Sequence, residues 1–316
     1  MPGITGMGLT FNLPNFVGEL FEITPSDTPL TSAIGGLSGG EAVTATTFQW
    51  QGYDLRDAGQ NTKIEGAVAP DAEARVRQNI TNVVQIHQES VDVSYTKQAA
   101  TGLHSGANIA GTNPVQDELS LQTTAMLKQV ARDIEYSFIN GSYQSPVDNT
   151  TPRKTRGLLE AITTNVITNG SPAVLTKNMV LDLMQKVWDN GGIKESDTAT
   201  LLTNSAIKRE LTRLFITEAG YQEQTRNVGG VNVTTIETDF GRVNIMLNRY
   251  MPADQLAVSS LELLKPKFLL IPDKGFLFLE ELAKVGASSK FQIYGEVGLE
   301  YGNERAHGKI TGLAVS

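Results

Sequence analysis

The residues best equipped for chemistry in this 316-residue chain are three histidines, a possible metal triplet, a glycine-rich run and a pair of carboxylates. The histidines are His87, His104 and His307; they fall in different predicted elements, and none has a second ligand at metal-binding spacing. With no cysteine in the chain, disulfides, thiolate catalysis and cysteine-ligated zinc are excluded. Asp239-Phe240-Gly241 has the form of the kinase magnesium triplet, but no phosphate-covering glycine loop or His-Arg-Asp loop accompanies it, so the kinase requirements fail. A turn between two strands accounts for it. The run Gly35-Gly36-Leu37-Ser38-Gly39-Gly40 lacks the Gly-Lys-Ser/Thr ending whose lysine holds phosphates; it reads as a joint between segments. Glu280 and Glu281 alternate along a predicted strand, so their side chains leave opposite faces and cannot act as an acid/base pair. No serine sits in a Gly-x-Ser-x-Gly elbow, although a triad built from distant residues would leave no local trace. We expect no catalytic residue, no cofactor and no metal.

Composition narrows the class further. Hydrophobic residues make up 40% and charged residues 19% of the chain, the range of an ordered globular protein. That charge content is slightly sparse for a free monomer and favours a chain that covers much of its surface with copies of itself. Lys plus Arg total 26 against 34 for Asp plus Glu, a formal charge of -8, whereas a sequence-independent nucleic-acid binder carries a basic surplus. Up to residue 55 the acids are Glu19, Glu22, Asp27, Glu41 and Asp54, and the first basic residue is Arg56. A secretory signal needs a basic start and an apolar run, and neither is present. Without one, the Asn79-Ile80-Thr81 sequon has no consequence. No stretch approaches the roughly 20 apolar residues of a membrane span. From the Met1 start we expect no cleaved N-terminal scaffold.

Residues 1–40 do not read as a domain. Pro2, Pro14, Pro25 and Pro29 interrupt every apolar group, yet Phe11, Leu13, Phe16, Leu20, Phe21 and Ile23 are too many large apolar residues for a solvated tail. Such a segment cannot enclose its own side chains, and we expect it to lie as an arm on another surface. Residues 42–53 alternate, with Thr44, Thr46, Phe48 and Trp50 on one face, which predicts a strand. A loose polar stretch from Gly52 to Ala74 follows. Then Ile80, Val84 and Ile86 share one phase and Val91, Val93 and Tyr95 another, predicting a bulge near Gln88. Two strands joined by some twenty residues make a long projecting hairpin. A helix is predicted from Pro114 to about Ile139, capped by Asn113 and stopped in left-handed conformation by Asn140-Gly141. Its apolar stripe is Leu119, Met126 or Leu127, Val130, Ile134 and Phe138, opposite Gln122, Gln129, Asp133 and Ser137. At 1.5 Å per residue it would be roughly 39 Å long, a spine. Thr176 predicts a helix that ends at Asn190-Gly191, and Asn204 or Ser205 predicts another. Strands are predicted at 231–236, 243–247, 255–258 and 268–271, with two long ones at 276–282 and 291–299. Helices and strands do not alternate regularly, so the class is α+β.

Several stretches together carry a resemblance: Phe48-Gln-Trp-Gln-Gly-Tyr-Asp54, Gln78-Asn-Ile-Thr-Asn82 leading to Val91-Asp-Val-Ser-Tyr95, Arg132-Asp-Ile-Glu135, Asp239-Phe-Gly241, and Asn248-Arg-Tyr-Met-Pro252. With the element order, they make the chain similar to tailed-bacteriophage major capsid proteins of the Hong Kong 97 fold, in the family of podovirus SU-ten and actinobacteriophages. The resemblance implies an N-terminal arm at 1–40 and an E-loop with its strands at 41–95. It implies a P-domain at 96–165 and 274–300 around the spine helix, and an A-domain at 166–273 and 301–316. It implies a subunit that self-assembles as hexamers and pentamers into an icosahedral shell around double-stranded DNA, in the virion, after assembly in the host bacterial cytoplasm. Its partners would be copies of itself, a portal, and scaffold or decoration proteins. DNA would be enclosed without sequence-specific binding, and no membrane would be involved. Contact candidates between subunits are Phe11, Phe16, Phe21, Trp50 and Lys63. Lys63 is the sole E-loop lysine and so the sole candidate for the isopeptide crosslink of some relatives, against the plainer reading of a solvated lysine. The rival readings are an encapsulin-like nanocompartment shell and a soluble enzyme whose site is scattered through the sequence.

Overall fold

Local signals begin and end the helices. Thr176 accepts the Met179 amide at 3.3 Å and opens one helix; Asn204 accepts the Ile207 amide at 2.9 Å and opens the next. Gly191, at φ 77°, closes the first in the left-handed conformation glycine tolerates. The computed structural model describes residues 24–56, 58–99, 118–148, 150–193, 199–218, 235–284 and 286–314. In chain order the first elements are α1 (Pro29–Ala33), β1 (Glu41–Val43), β2 (Thr47–Tyr53), β3 (Arg77–Val83), β4 (Gln85–Ser94), α2 (Tyr95–Ala99) and α3 (Glu118–Asn140). Next come α4 (Leu158–Ala161), β5 (Val166–Ala173), α5 (Lys177–Asp189), β6 (Ala199–Thr203) and α6 (Ser205–Thr212). The last are β7 (Thr235–Thr238), β8 (Gly241–Leu247), β9 (Leu256–Ser259), β10 (Lys265–Leu269), β11 (Leu277–Glu281), β12 (Ser288–Glu300) and β13 (Gly308–Leu313).

The chain divides into two compact units, one of residues 28–87, 133–277 and 295–316 and one of residues 1–27, 88–132 and 278–294. In the larger unit a six-stranded sheet has the order β5-β13-β9-β6-β8-β7. Two of its pairings, β5 with β13 and β6 with β8, are parallel; β13 with β9, β9 with β6, and β7 with β8 are antiparallel. That mixture is the expected α+β class. Helices α5 and α6 cover the sheet, burying Val180, Leu183, Met184 and Leu211 against Leu201, Val243, Val258 and Ile310. A parallel β1–β10 pair and the antiparallel β10–β12 pair belong to the same unit, as does the two-stranded ribbon β2–β3. In the smaller unit the Tyr95 amide donates to the Ala287 carbonyl at 3.1 Å and the Leu282 amide to that of Lys290 at 2.8 Å. Phe278 and Tyr294 pack with ring centroids 5.8 Å apart.

Several expectations are corrected. The strand predicted at 42–53 is two strands, β1 and β2, parted by bends at 44–46. The phase change predicted near Gln88 falls at Val84, whose amide turns to the Thr46 carbonyl at 2.9 Å. Val83 and Val84 are therefore both fully buried, and past them the inward set is His87 and Val93, leaving Ile86 exposed. Tyr95 begins α2 and does not extend the strand. In α3, Met126 is the buried member of the Met126/Leu127 pair, and Ser137 is buried with its hydroxyl donating to the Asp133 carbonyl at 2.8 Å. The cap Asn113-Pro114 lies outside the described residues. Gly141 is not left-handed. A Cβ there would lie 2.4 Å from the Ser137 carbonyl oxygen and 2.5 Å from that of Thr155, so the position demands close backbone approach. The strands β5, β6 and β13 were not expected. The first of the two long late strands is short, five residues against the thirteen of β12.

Candidate functional site

The polar residues singled out for chemistry are folded into structure. His307 is fully buried; its Nε2 lies 2.9 Å from the Tyr301 carbonyl, which makes it a donor, so the Ser259 hydroxyl donates to Nδ1 at 2.9 Å. Burial pushes its pKa down, and the third partner is a carbonyl and not an acid. That is a packed polar pair with no access for a substrate. His87 is buried with no hydrogen-bond partner on Nε2, and burial pushes its pKa down to about 4. His104 lies outside the described residues. Asp239-Phe240 forms the turn of the β7–β8 hairpin. Glu280 accepts from Gln292 at 3.3 Å while Glu281 lies 3.8 Å from Lys284. Among the described residues no group of His, Asp and Glu could hold a metal ion, and no helix is long and apolar enough to cross a membrane.

What the fold does build is a pinned, projecting hairpin. Ribbon β2–β3 pairs Thr47 with Val83 through to Tyr53 with Arg77, and the described residues of the connection, 54–56 and 58–76, form no helix or strand. One ribbon face is the anchor. Phe48 is buried, Trp50 meets Tyr301 edge-on at 4.9 Å, and the Trp50 indole N–H donates to the Gly302 carbonyl at 2.7 Å. Trp50 thus anchors the hairpin's base, because its strand face packs on residues 301–302. Asn82, fully buried, makes four hydrogen bonds. Its Nδ2 donates to the carbonyls of Leu299 (2.7 Å) and Arg156 (3.2 Å), and its Oδ1 accepts the amides of Arg156 (2.8 Å) and Val83 (2.9 Å). Glu41, beside the ribbon in sequence, bonds Lys265 at 2.8 Å and also Lys267, which holds Glu300 at 2.6 Å. The hydrogen bond from Lys265, then that from Lys267, bring the Glu41 carboxyl down to about 2.

Beyond the anchor the hairpin exposes apolar side chains within its polar connection. Tyr53, Leu55, Ile64, Val68 and Val76 are all exposed, Val68 to 90%. Scattered exposed apolar residues need no explanation, but four within one connection, with Tyr53 at the end of β2 beside them, do. Lys63 is exposed in the same connection. Phe11, Phe16 and Phe21 lie outside the described residues.

The segment leaving residue 28 is held by a group that local sequence does not reveal. Glu135 of α3 is fully exposed to protein and not to water, at 0% accessibility. Its carboxylate accepts the Leu30 amide (2.8 Å), the Thr31 amide (2.6 Å), the Thr31 hydroxyl and the Asn248 side-chain amide. The first three fasten α1; the fourth comes from the residue after β8. No spacing pattern announces this site, since its members lie more than 100 positions apart.

Comparison with known proteins gives consistent results. The family model described as SU10 major capsid protein matches residues 3–314. The major capsid protein of Escherichia phage Phieco32 is 26% identical, over 94% of this chain and 93% of that protein. Among solved structures, the capsid of cyanophage A-1(L) superposes with a TM-score of 0.69 at 14% identity, covering 95% of this chain and 97% of that one. The SrpI encapsulin complex of Synechococcus elongatus PCC 7942 gives 0.58 at 13% identity, covering 96% and 93%. At such identities the likeness is one of fold.

Proposed function

Because the chain belongs to the family of SU10 major capsid proteins, we propose that it assembles as hexamers and pentamers into the icosahedral shell around a tailed phage's double-stranded DNA. The chain is a phage major capsid protein, a structural subunit and not an enzyme. The finer reading is a Hong Kong 97-type division into arm (1–40), E-loop (41–95), P-domain (96–165, 274–300) and A-domain (166–273, 301–316). The observation that carries it is the pinned hairpin that exposes Tyr53 at the end of β2 and four large apolar side chains in its connection. Its base is fixed to its own subunit, and none of the described residues covers its far end. A neighbouring copy is the cover that recurs at every position of a shell. Phe11, Phe16 and Phe21 of the arm, Trp50 at the hairpin's base and Lys63 in the hairpin are further contacts with neighbours. The portal, and scaffold or decoration proteins, are additional partners, and assembly takes place in the host cytoplasm. The nanocompartment reading rests on a shared fold alone, whereas family membership favours the phage shell.

A net charge of -8 fits a wall that confines DNA mechanically and does not grip phosphates. Negative-stain microscopy of the expressed protein, intact and lacking residues 58–74, tests the proposal. Closed shells from the intact chain and folded but unassembled subunits from the deletion are expected. Normal particles from the deletion would remove the hairpin from the account. A crosslink through Lys63 would give ladders on denaturing gels of mature particles, and a single subunit band dismisses it.

A further inference from the structure

We propose that Glu135 is a positioning residue that couples the arm's exit to the corner after β8, so that the two dock or release together. The inference stands on the geometry of one subunit; only its use during assembly rests on the capsid reading.

The carboxylate has two sets of donors. One set is the Leu30 amide on Oε1 with the Thr31 amide and hydroxyl on Oε2; the other is the Asn248 side-chain amide, which shares Oε1 with Leu30. Thr31 and Asn248 are both buried, and Glu135 has no accessible surface. If α1 leaves, water does not take its place without opening the site, and the carboxylate faces Asn248 alone. If the corner moves, the same anion loses a donor while still holding α1. Each departure therefore weakens the other contact, because a buried anion requires its full set of donors.

Both sides also lead on to larger elements. The Ser32 amide donates to the Thr28 carbonyl (3.0 Å) and the Ile34 amide to that of Leu30 (3.1 Å), so the docked segment is one helical turn. Asn248 sends its own amide to the Thr203 carbonyl of β6 (2.8 Å), while its side-chain oxygen accepts the Tyr250 amide (2.9 Å). The arm's root thus reaches a central strand of the six-stranded sheet through two side chains, Glu135 and Asn248. Arm displacement by a neighbour would be felt at that sheet, and a shift of the corner would loosen the arm.

Coupling of this kind is reciprocal, and hydrogen exchange on the full-length subunit reads both directions. Asn248→Ala removes a donor to Glu135 and leaves the three hydrogen bonds from Leu30 and Thr31 chemically intact. It should speed exchange of the Leu30 and Thr31 amides at least about fivefold, the order expected for one hydrogen bond to a charged acceptor. Thr31→Val, which keeps the backbone and the side-chain shape, should speed exchange of the Tyr250 amide by a similar factor. Exchange within the β2–β3 ribbon, compared in each variant, separates this from general destabilisation. Thr176→Ala, which removes the α5 cap without touching Glu135 or the corner, should leave residues 30 and 31 unchanged. If either designed variant leaves the opposite site at the wild-type rate, or if Thr176→Ala accelerates residues 30 and 31 equally, the coupling does not exist. Should Asn248→Ala fail to fold, Thr31→Val alone decides by the same criterion.

Discussion

Replacing the Asn82 amide nitrogen by oxygen, Asn82→Asp, changes almost no volume and inverts the chemistry at the hairpin's root. That nitrogen donates to two backbone carbonyls, Leu299 at 2.7 Å and Arg156 at 3.2 Å, inside a fully buried site. A carboxylate there would lose both bonds and set an anionic oxygen against two carbonyl oxygens. The other oxygen would keep the amides of Arg156 and Val83. Two lost hydrogen bonds cost about 1 kcal/mol each, and the added repulsion and desolvation raise the total to about 3–4 kcal/mol at pH 7.5. Protonation restores one donor. The variant's carboxyl should therefore titrate above the usual aspartate value, and for a raised acid pKa the stability is present at low pH and lost as pH rises. Urea midpoints of unassembled subunits at pH 5.0 and 7.5 measure this: the deficit against wild type should be larger at 7.5 by the equivalent of about 1 kcal/mol or more. Equal midpoints for variant and wild type at both pH values would refute the four-bond role of Asn82.

Three further outcomes are expected. His87 has its pKa lowered to about 4 from 6.5 by burial, so protonation favours the unfolded chain and stability falls as pH drops from 6.5 to 4. The linkage amounts to about 3 kcal/mol, and His87→Leu should abolish that slope in subunit melting. Glu41, lowered to about 2 from 4.5, contributes above pH 4.5 and loses its contribution as pH falls toward 2. In Glu41→Gln, exchange of the β1 amides should already be fast at neutral pH and rise no further on acidification. Gly141→Ala would place a methyl 2.4 and 2.5 Å from two carbonyl oxygens. Backbone there has to shift, at about 2–3 kcal/mol, and a urea midpoint matching wild type would show that the approach is not tight.

Helix starts were readable because their determinants are local: Thr176 and Asn204 sit beside the amides they accept. The hairpin was readable for a related reason, a long connection between two alternating stretches. Strands β5, β6 and β13 were not. Every residue of β6 is buried, which erases the alternation that marks a strand, and β5 contains Gly170 and Pro172, residues that otherwise read as a turn. The clamps are long-range by nature: Asn82 meets Leu299 217 positions away, and only the folded chain brings them together. The short stretches that suggested the family contain Trp50, Asn82, Glu135 and Asn248. Local sequence could suggest kinship through these residues, but their work as clamps depends on partners elsewhere.

The contact between Trp50 and Tyr301 has a practical corollary. The chain has two tryptophans, and Trp188 stands half in solvent, whereas the Trp50 indole is half-buried and bonded to a carbonyl at 2.7 Å. A chain carrying Trp188→Phe would hold a single ultraviolet emitter, seated where the ribbon joins the body of its unit. Its colour and lifetime would report strain at that joint in real time, without an attached dye, while subunits come together.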